Sequence, residues 1–365
     1  MKTKTLLTLA LTLLITICQA QNDVTMLVGT YTNGTSKGIY NYQFNQETGD
    51  ATLLKETEIS SPSFLTYSKD RGIVYCLSQE RSGSFVNGYK LNIETGEMTL
   101  INQQKAMGEG PCYIATNGEA VTAAFYNGGS ISSFGLNADG SLQPATSVIQ
   151  FKGSGPDSTR QNKSFLHCTH FSPDGKYLFA VDLGGDCFYK FKMDKATLQP
   201  GTPASYKTSP GSGPRHMTFS PKGDRAYVVT ELGGTVIAYA YTAADGTMKE
   251  IQTVVADTVG AHGSADIHIS PDGKFLYATN RLKADGVVTF KIDNKGMLKR
   301  VGYLLTGLHP RNFAITPNGK YVIVGCQDSD YIQVFRRNAM TGLLTDTKKD
   351  IKLAKPVCIQ FISPE

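Results

Sequence analysis

The sequence predicts an all-β, seven-bladed β-propeller with four antiparallel strands per blade. Three observations carry this: a recurring ten-residue phrase, turn glycines spaced one blade apart, and leftover strand segments at the two chain ends. The phrase Phe171-Ser-Pro-Asp-Gly-Lys-Tyr-Leu-Phe-Ala returns as Phe219-Ser-Pro-Lys-Gly-Asp-Arg-Ala-Tyr-Val, as Ile269-Ser-Pro-Asp-Gly-Lys-Phe-Leu-Tyr-Ala and as Ile315-Thr-Pro-Asn-Gly-Lys-Tyr-Val-Ile-Val. Weaker copies begin at Tyr67 and Ala115. The turn glycines Gly72, Gly118, Gly175, Gly223, Gly273 and Gly319 stand 46, 57, 48, 50 and 46 residues apart. Periods of this length mark propellers or solenoids, and alternating apolar runs around Pro-Asp-Gly turns select the β option.

Each unit reads as four strands. In the fourth copy they are Pro214 to Ser220, Arg225 to Glu231, Thr235 to Tyr241 and Met248 to Val254, the last following an Ala-Asp-Gly turn. A four-stranded sheet repeated radially is a propeller blade. The N-terminal segment adds Met26 to Tyr31 and Ile39 to Phe44 without a first strand, and Pro356 to Ile362 supplies it. Pairing the two ends closes the ring and removes two open sheet edges. With 37 glycines, 18 tyrosines, 17 phenylalanines and no tryptophan, the composition suits a turn-rich β protein.

Residues 1–20 read as a secretory signal peptide. Lys2 and Lys4 are its basic part, Leu6 to Ile17 its apolar run, and Cys18-Gln19-Ala20 its cleavage region. A lipoprotein signal needs a small residue before Cys18, where Ile17 stands. The expected mature protein is exported, to the periplasm or beyond, and residues 21–365 form one propeller domain. No later stretch is apolar enough to insert in a membrane. Loss of Lys2 and Lys4 takes the formal charge from +5 to +3, without basic clusters, so nucleic acid is not an expected partner. Six cysteines remain, most within apolar strand runs, where a free thiol acts as a small hydrophobe. A domain of this size needs no staples, so free thiols are expected. A monomer is expected, with a dimer as the alternative.

Eight residues before and after a turn glycine should lie at the far end of its hairpin, at one mouth of the axial channel. The following positions are Glu80, Tyr126, Leu183, Glu231, Arg281 and Gln327; the preceding ones are Phe64, Gly110, His167, Arg215, Ala265 and Arg311. A register slip of one would turn a side chain to the other face. Arg215 and Glu231 should face each other, the arginines attract an oxyanion or phosphate, and His167 and Glu231 are proton acceptors. Propeller channels are polar and water-filled, so these charges alone do not establish chemistry. His167 and His170, three apart on a strand, should point to opposite faces, which disfavours zinc; His216, His262, His268 and His309 read as structural or channel-lining. A serine-hydrolase triad is disfavoured, and no phosphate-cradling glycine loop appears. No cofactor is expected.

Several ordered motifs resemble the seven-bladed propeller lactonase family. They include Val28-Gly-Thr-Tyr-Thr, Pro62-Ser-Phe-Leu, Gly110-Pro-Cys, His167-Cys-Thr-His-Phe-Ser-Pro-Asp and Gly213-Pro-Arg-His-Met-Thr-Phe. Tyr227-Val-Val-Thr-Glu-Leu, Ala265-Asp-Ile-His, Tyr277-Ala-Thr-Asn-Arg and Pro310-Arg-Asn-Phe follow in order. The resemblance covers the mature chain and implies hydrolysis of a sugar-acid lactone, as by propeller-type 6-phosphogluconolactonases. It implies catalytic positions at His167, Arg215, Glu231 and Arg281, with Arg311, Gln327, Tyr126 and Glu80 as expected substrate-binding neighbours. Family members often carry His after the Pro-Cys pair and Asn-Tyr at the end of the next strand. Here stand Tyr113 and Phe125-Tyr126, which predicts a change on one side of the pocket. In the expected mechanism Glu231 or His167 takes a proton from water, while Arg215 or Arg281 stabilises the tetrahedral oxygen, without a metal. The remaining arginine, with Arg311, would hold a phosphate or carboxylate. Two other readings stay open: a cycloisomerase of the muconate-lactonizing type, and a non-catalytic binding module.

Overall fold

Seven sheets stand around an axis in the computed structural model, which describes residues 23–362. The expected signal peptide lies outside the described residues. Six blades are formed in chain order: residues 65–105, 111–150, 166–207, 214–255, 264–305 and 310–352. The seventh is split. Its innermost strand is Pro356–Ile362, paired antiparallel with Asp23–Thr30, and Gly38–Asn45 and Ala51–Glu58 complete the sheet. Each innermost strand packs beside that of the next blade, and the strand at Pro356–Ile362 bridges the sixth blade to the first.

Burial changes across each sheet as stacked blades require. The second strands, such as Ala120–Phe125, Phe275–Asn280 and Tyr321–Cys326, are buried along their whole length, whereas the outermost strand Leu142–Gln150 alternates. Inner strands have a neighbouring blade on both faces and outer ones meet solvent on one. Seven apolar clusters fill the seven spaces between blades. A repeated hydrogen bond fastens several of them. The buried Tyr75, Tyr227, Tyr277 and Tyr321 hydroxyls donate to the carbonyls of Gly140, Gly296, Gly342 and Glu47, each in the turn between the third and fourth strands of the next blade.

Two local features depart from the regular repeat. The sixth blade's outer strand is broken into Leu344–Asp346 and Ile351–Lys352, both paired with Tyr331–Arg337. In the first blade a 3-10 turn, Lys69–Arg71, precedes Gly72 and shifts that glycine one residue along its hairpin. All six described cysteines are unpaired, five of them buried. Among the described residues no helix is long and apolar enough to cross a membrane.

Candidate active site

One irregularity, repeated around the ring, builds the site. In six blades the innermost strand carries a β-bulge near its start: at Cys112, His167, Arg215, around Ala265, at Arg311 and at Val357. A bulge turns one extra residue out of the ladder and re-aims its side chain. Below it, the amides of Tyr126, Leu183, Glu231, Arg281 and Gln327 donate to the carbonyls of Gly110, Phe165, Gly213, Gly263 and His309 at 2.7–3.2 Å. The bulged residues and these second-strand ends therefore meet at one mouth of the channel.

There they enclose a cavity of about 340 Å³ whose lining includes Tyr126, His167, Arg215, Glu231, Arg281 and Arg311. Six of the eight residues predicted for the site are thus together. Glu80 and Gln327 are not. The 3-10 turn makes a count of eight from Gly72 overshoot by one, so Gln79 reaches the cavity while Glu80 lies at its outer side and accepts from Gln103 Nε2 at 3.1 Å. Gln327 turns away and donates to Asp328 at 3.1 Å. Tyr113 also lies elsewhere: it stacks on Phe64 at 4.1 Å, packs edge-on to His216, and lines a separate cavity with Phe64 and His170. Of Tyr113 and Tyr126, Tyr126 is the one that lines the cavity with the arginines.

Glu231 is the centre of the arrangement. Its Oε2 lies 2.9 Å from Arg215 Nε and 3.2 Å from Arg281 Nη2, and its Oε1 lies 2.5 Å from Arg160 Nη2. The Arg215 contact is an ion pair without hydrogen-bond alignment, since Nε makes no hydrogen bond. Burial alone would raise the carboxyl's pKa, but Arg281, Arg215 and Arg160 outweigh it and bring it down to about 2. The carboxylate stays ionised, with both oxygens engaged. Four guanidiniums face this single carboxylate in the cavity wall, so the site has a surplus of positive charge and suits an anion. Among the described residues Arg311 has no carboxylate partner, and it rests over the Tyr31 ring at 5.5 Å.

Two of the guanidiniums are backed by matching histidine–aspartate pairs. Arg215 Nη1 lies 3.3 Å from His216 Nε2, and His216 Nδ1 lies 2.7 Å from Asp266 Oδ1. Arg281 Nη1 lies 3.0 Å from His309 Nε2, and His309 Nδ1 lies 3.1 Å from Asp328 Oδ2. A guanidinium only donates, so each Nε2 accepts and each Nδ1 carries the proton toward its carboxylate. Both imidazoles are then neutral. Asp266 further accepts from His268, from Asn312 Nδ2 at 2.6 Å and from the Phe313 amide.

His167 differs from both. Its buried Nδ1 has no hydrogen-bond partner among the described residues, and no side chain there pairs with its ring, which lines the cavity. Burial first, then Arg215, His216 and Arg311, hold its pKa well below the usual 6.5. It is a neutral, unengaged base beside a cluster of cations.

Arg160, Asp266 and Asn312 were not among the residues picked from the sequence, and His309, read there as structural or channel-lining, backs Arg281. The signal for Arg160 was the 57-residue glycine spacing, which marks the long 151–165 connection carrying it. Asp266 stands next to the counted position Ala265, and the bulge there brings it into the channel.

Comparison with known proteins agrees with this geometry. A family profile described as lactonase, 7-bladed beta-propeller, matches residues 25–361. A 6-phosphogluconolactonase of Formosa agariphila is 36% identical over 344 residues, covering 89% of this chain and 96% of its own. A Bacteroides fragilis structure described as a candidate 6-phosphogluconolactonase is 52% identical, with a TM-score of 0.91 over 94% of this chain and 98% of its own. The structure of a periplasmic gluconolactonase from Pseudomonas aeruginosa is 32% identical, with a TM-score of 0.87 over 93% of this chain and 99% of its own.

Proposed function

This chain belongs to the seven-bladed β-propeller lactonase family, and from that membership and the cationic axial cavity we propose that it hydrolyses a sugar-acid lactone that carries an anionic group. The observation that carries the reading is the pair of buried guanidiniums, Arg215 and Arg281, on Glu231, with the neutral His167 beside it. A lactone carbonyl needs a positioned water and stabilisation of the oxygen that becomes negative in the tetrahedral state. Arg215 and Arg281 are buried donors already held in place by Glu231 and by their histidines, so they do not reorganise when that charge develops.

His167 is the general base in this mechanism. Its imidazole is free to take a proton from water, whereas a carboxylate with both oxygens on guanidiniums is a weak base. Negative charge arriving with the substrate would offset the arginines and make His167 more basic than in the empty site. Glu231 is then the positioning residue that fixes the guanidiniums. Ring opening transfers the water proton to His167 and onward to the departing ring oxygen, giving the open acid.

The test is a pair of variants at pH 7. His167→Asn should lower kcat by about 10²–10⁴-fold with little change in KM. Glu231→Gln should raise KM and lower kcat together, since it loosens the arginines. The opposite assignment holds if His167→Asn keeps wild-type kcat while Glu231→Gln loses it.

A further inference from the structure

The fourth guanidinium of the cavity comes from a different part of the fold. Arg215, Arg281 and Arg311 stand on or beside the inner strands, whereas Arg160 is carried by the connection between the second and third blades. That connection spans residues 151–165, against three to eight residues for the other six. It is well fixed. Gln161 is fully buried and donates to Leu183 O at 2.9 Å and Asp186 Oδ1 at 2.7 Å, and Asp157 Oδ1 accepts the Thr159 and Arg160 amides.

Of this connection, Arg160 is the residue that lines the cavity. It is 37% exposed, against 1% for Arg215 and 6% for Arg281. It holds Glu231 Oε1 alone, while the two buried arginines share Oε2. Its ion pair is the one that solvent reaches, so parting it costs less than parting either fully buried pair. Withdrawing Arg160 would leave Glu231 with two cations and the cage standing. Withdrawing either of the others would strand a buried charge.

We infer that Arg160 is the specificity-determining residue of this site, resting on Glu231 in the empty cavity and transferring its guanidinium to the phosphate or carboxylate on the substrate's tail. The inference rests on the lactonase reading. A guanidinium fork pairs with either oxyanion through two parallel hydrogen bonds, which lysine cannot reproduce. The transfer also frees Glu231 Oε1 to accept a sugar hydroxyl. A lactone without an anionic tail leaves Arg160 where it is.

The test compares wild type with Arg160→Met and Arg160→Lys. Calorimetric binding of 6-phosphogluconate and gluconate is read beside kcat/KM on gluconolactone and its 6-phosphate. Arg160→Met should weaken 6-phosphogluconate binding by about 10- to 100-fold and lower kcat/KM on the phosphorylated lactone by a similar factor. Gluconate binding and the unphosphorylated lactone should change by less than about twofold, and Arg160→Lys should recover only part of the loss. Equal losses on both ligands would overturn the inference and make Arg160 a structural support of Glu231. Unchanged 6-phosphogluconate binding in Arg160→Met would overturn it as well. A wild type that binds 6-phosphogluconate selectively yet turns over no lactone would sink the lactonase reading and leave the role of Arg160 to be decided by binding alone.

Discussion

Glu231, His216 and His309 show how single residues hold the site in one charge state. The two histidines are held down to about 4, by burial first and then by Arg215 beside His216 and Arg281 beside His309, with Asp266 and Asp328 pulling the other way. Each is neutral when folded and takes a proton more readily when unfolded. The stability they contribute is therefore complete above pH 6.5 and is lost as pH falls through about 4. Each should remove on the order of 1 kcal/mol per pH unit across that window. Denaturant unfolding at intervals between pH 7 and pH 4 should show this decline, and a flat profile would contradict the neutral assignment. At this scale the sequence named most of the cavity's charges, because a count from a turn glycine fixes where a hairpin ends. It missed Arg160, which no hairpin carries, and it misplaced Glu80, because nothing in Lys69-Asp70-Arg71 announces an extra residue of turn.

At the scale of the element, the bulge is the device that turns a regular repeat into a site. It needs backbone room, and Gly213 provides it in the fourth blade. Gly213 has φ +57°, its carbonyl accepts the Glu231 amide at 2.7 Å, and a Cβ there would stand 2.7 Å from Leu232 Cγ. Gly260 has a similar φ, +62°, with open space around it. Gly213→Ala should cost about 1–3 kcal/mol, combining backbone strain with displacement of Leu232, and should lower kcat because Glu231 and Arg215 shift. Gly260→Ala should carry only the backbone penalty, about 1 kcal/mol, and keep full activity. Equal effects at the two positions, measured by urea unfolding and turnover, would refute the role given to the bulge. The strands themselves were readable from alternation and turn residues. The bulges were not, since an extra residue in a strand leaves no mark in a hydrophobic pattern.

Across the whole molecule, the chain ends decide whether the ring closes, and here the sequence was explicit. Pro356 to Ile362 had no hairpin partner of its own, the N-terminal segment lacked a first strand, and the two pair as Val28 with Ile359 and Met26 with Phe361. The break in the sixth blade's outer strand was not foreseen, because that strand is half exposed and its apolar alternation is weak. Ahead of the ring, the basic and apolar character of residues 1–20 supports a proposal of export. Protein made with secretion intact should have the mass of a chain beginning at Gln21; retention of Met1, or a lipid on Cys18, would contradict it. The ring exists, in this reading, to bring buried guanidiniums from separate blades onto one carbonyl. The most direct measurement is proton release from gluconolactone and its 6-phosphate, followed against the spontaneous rate for wild type and Arg281→Met at one pH. Hydrolysis should exceed background in the wild type and fall by about 10²–10³-fold in Arg281→Met, the scale of losing one oxyanion donor. A wild-type rate equal to background on both lactones, or an undiminished rate in Arg281→Met, would contradict it.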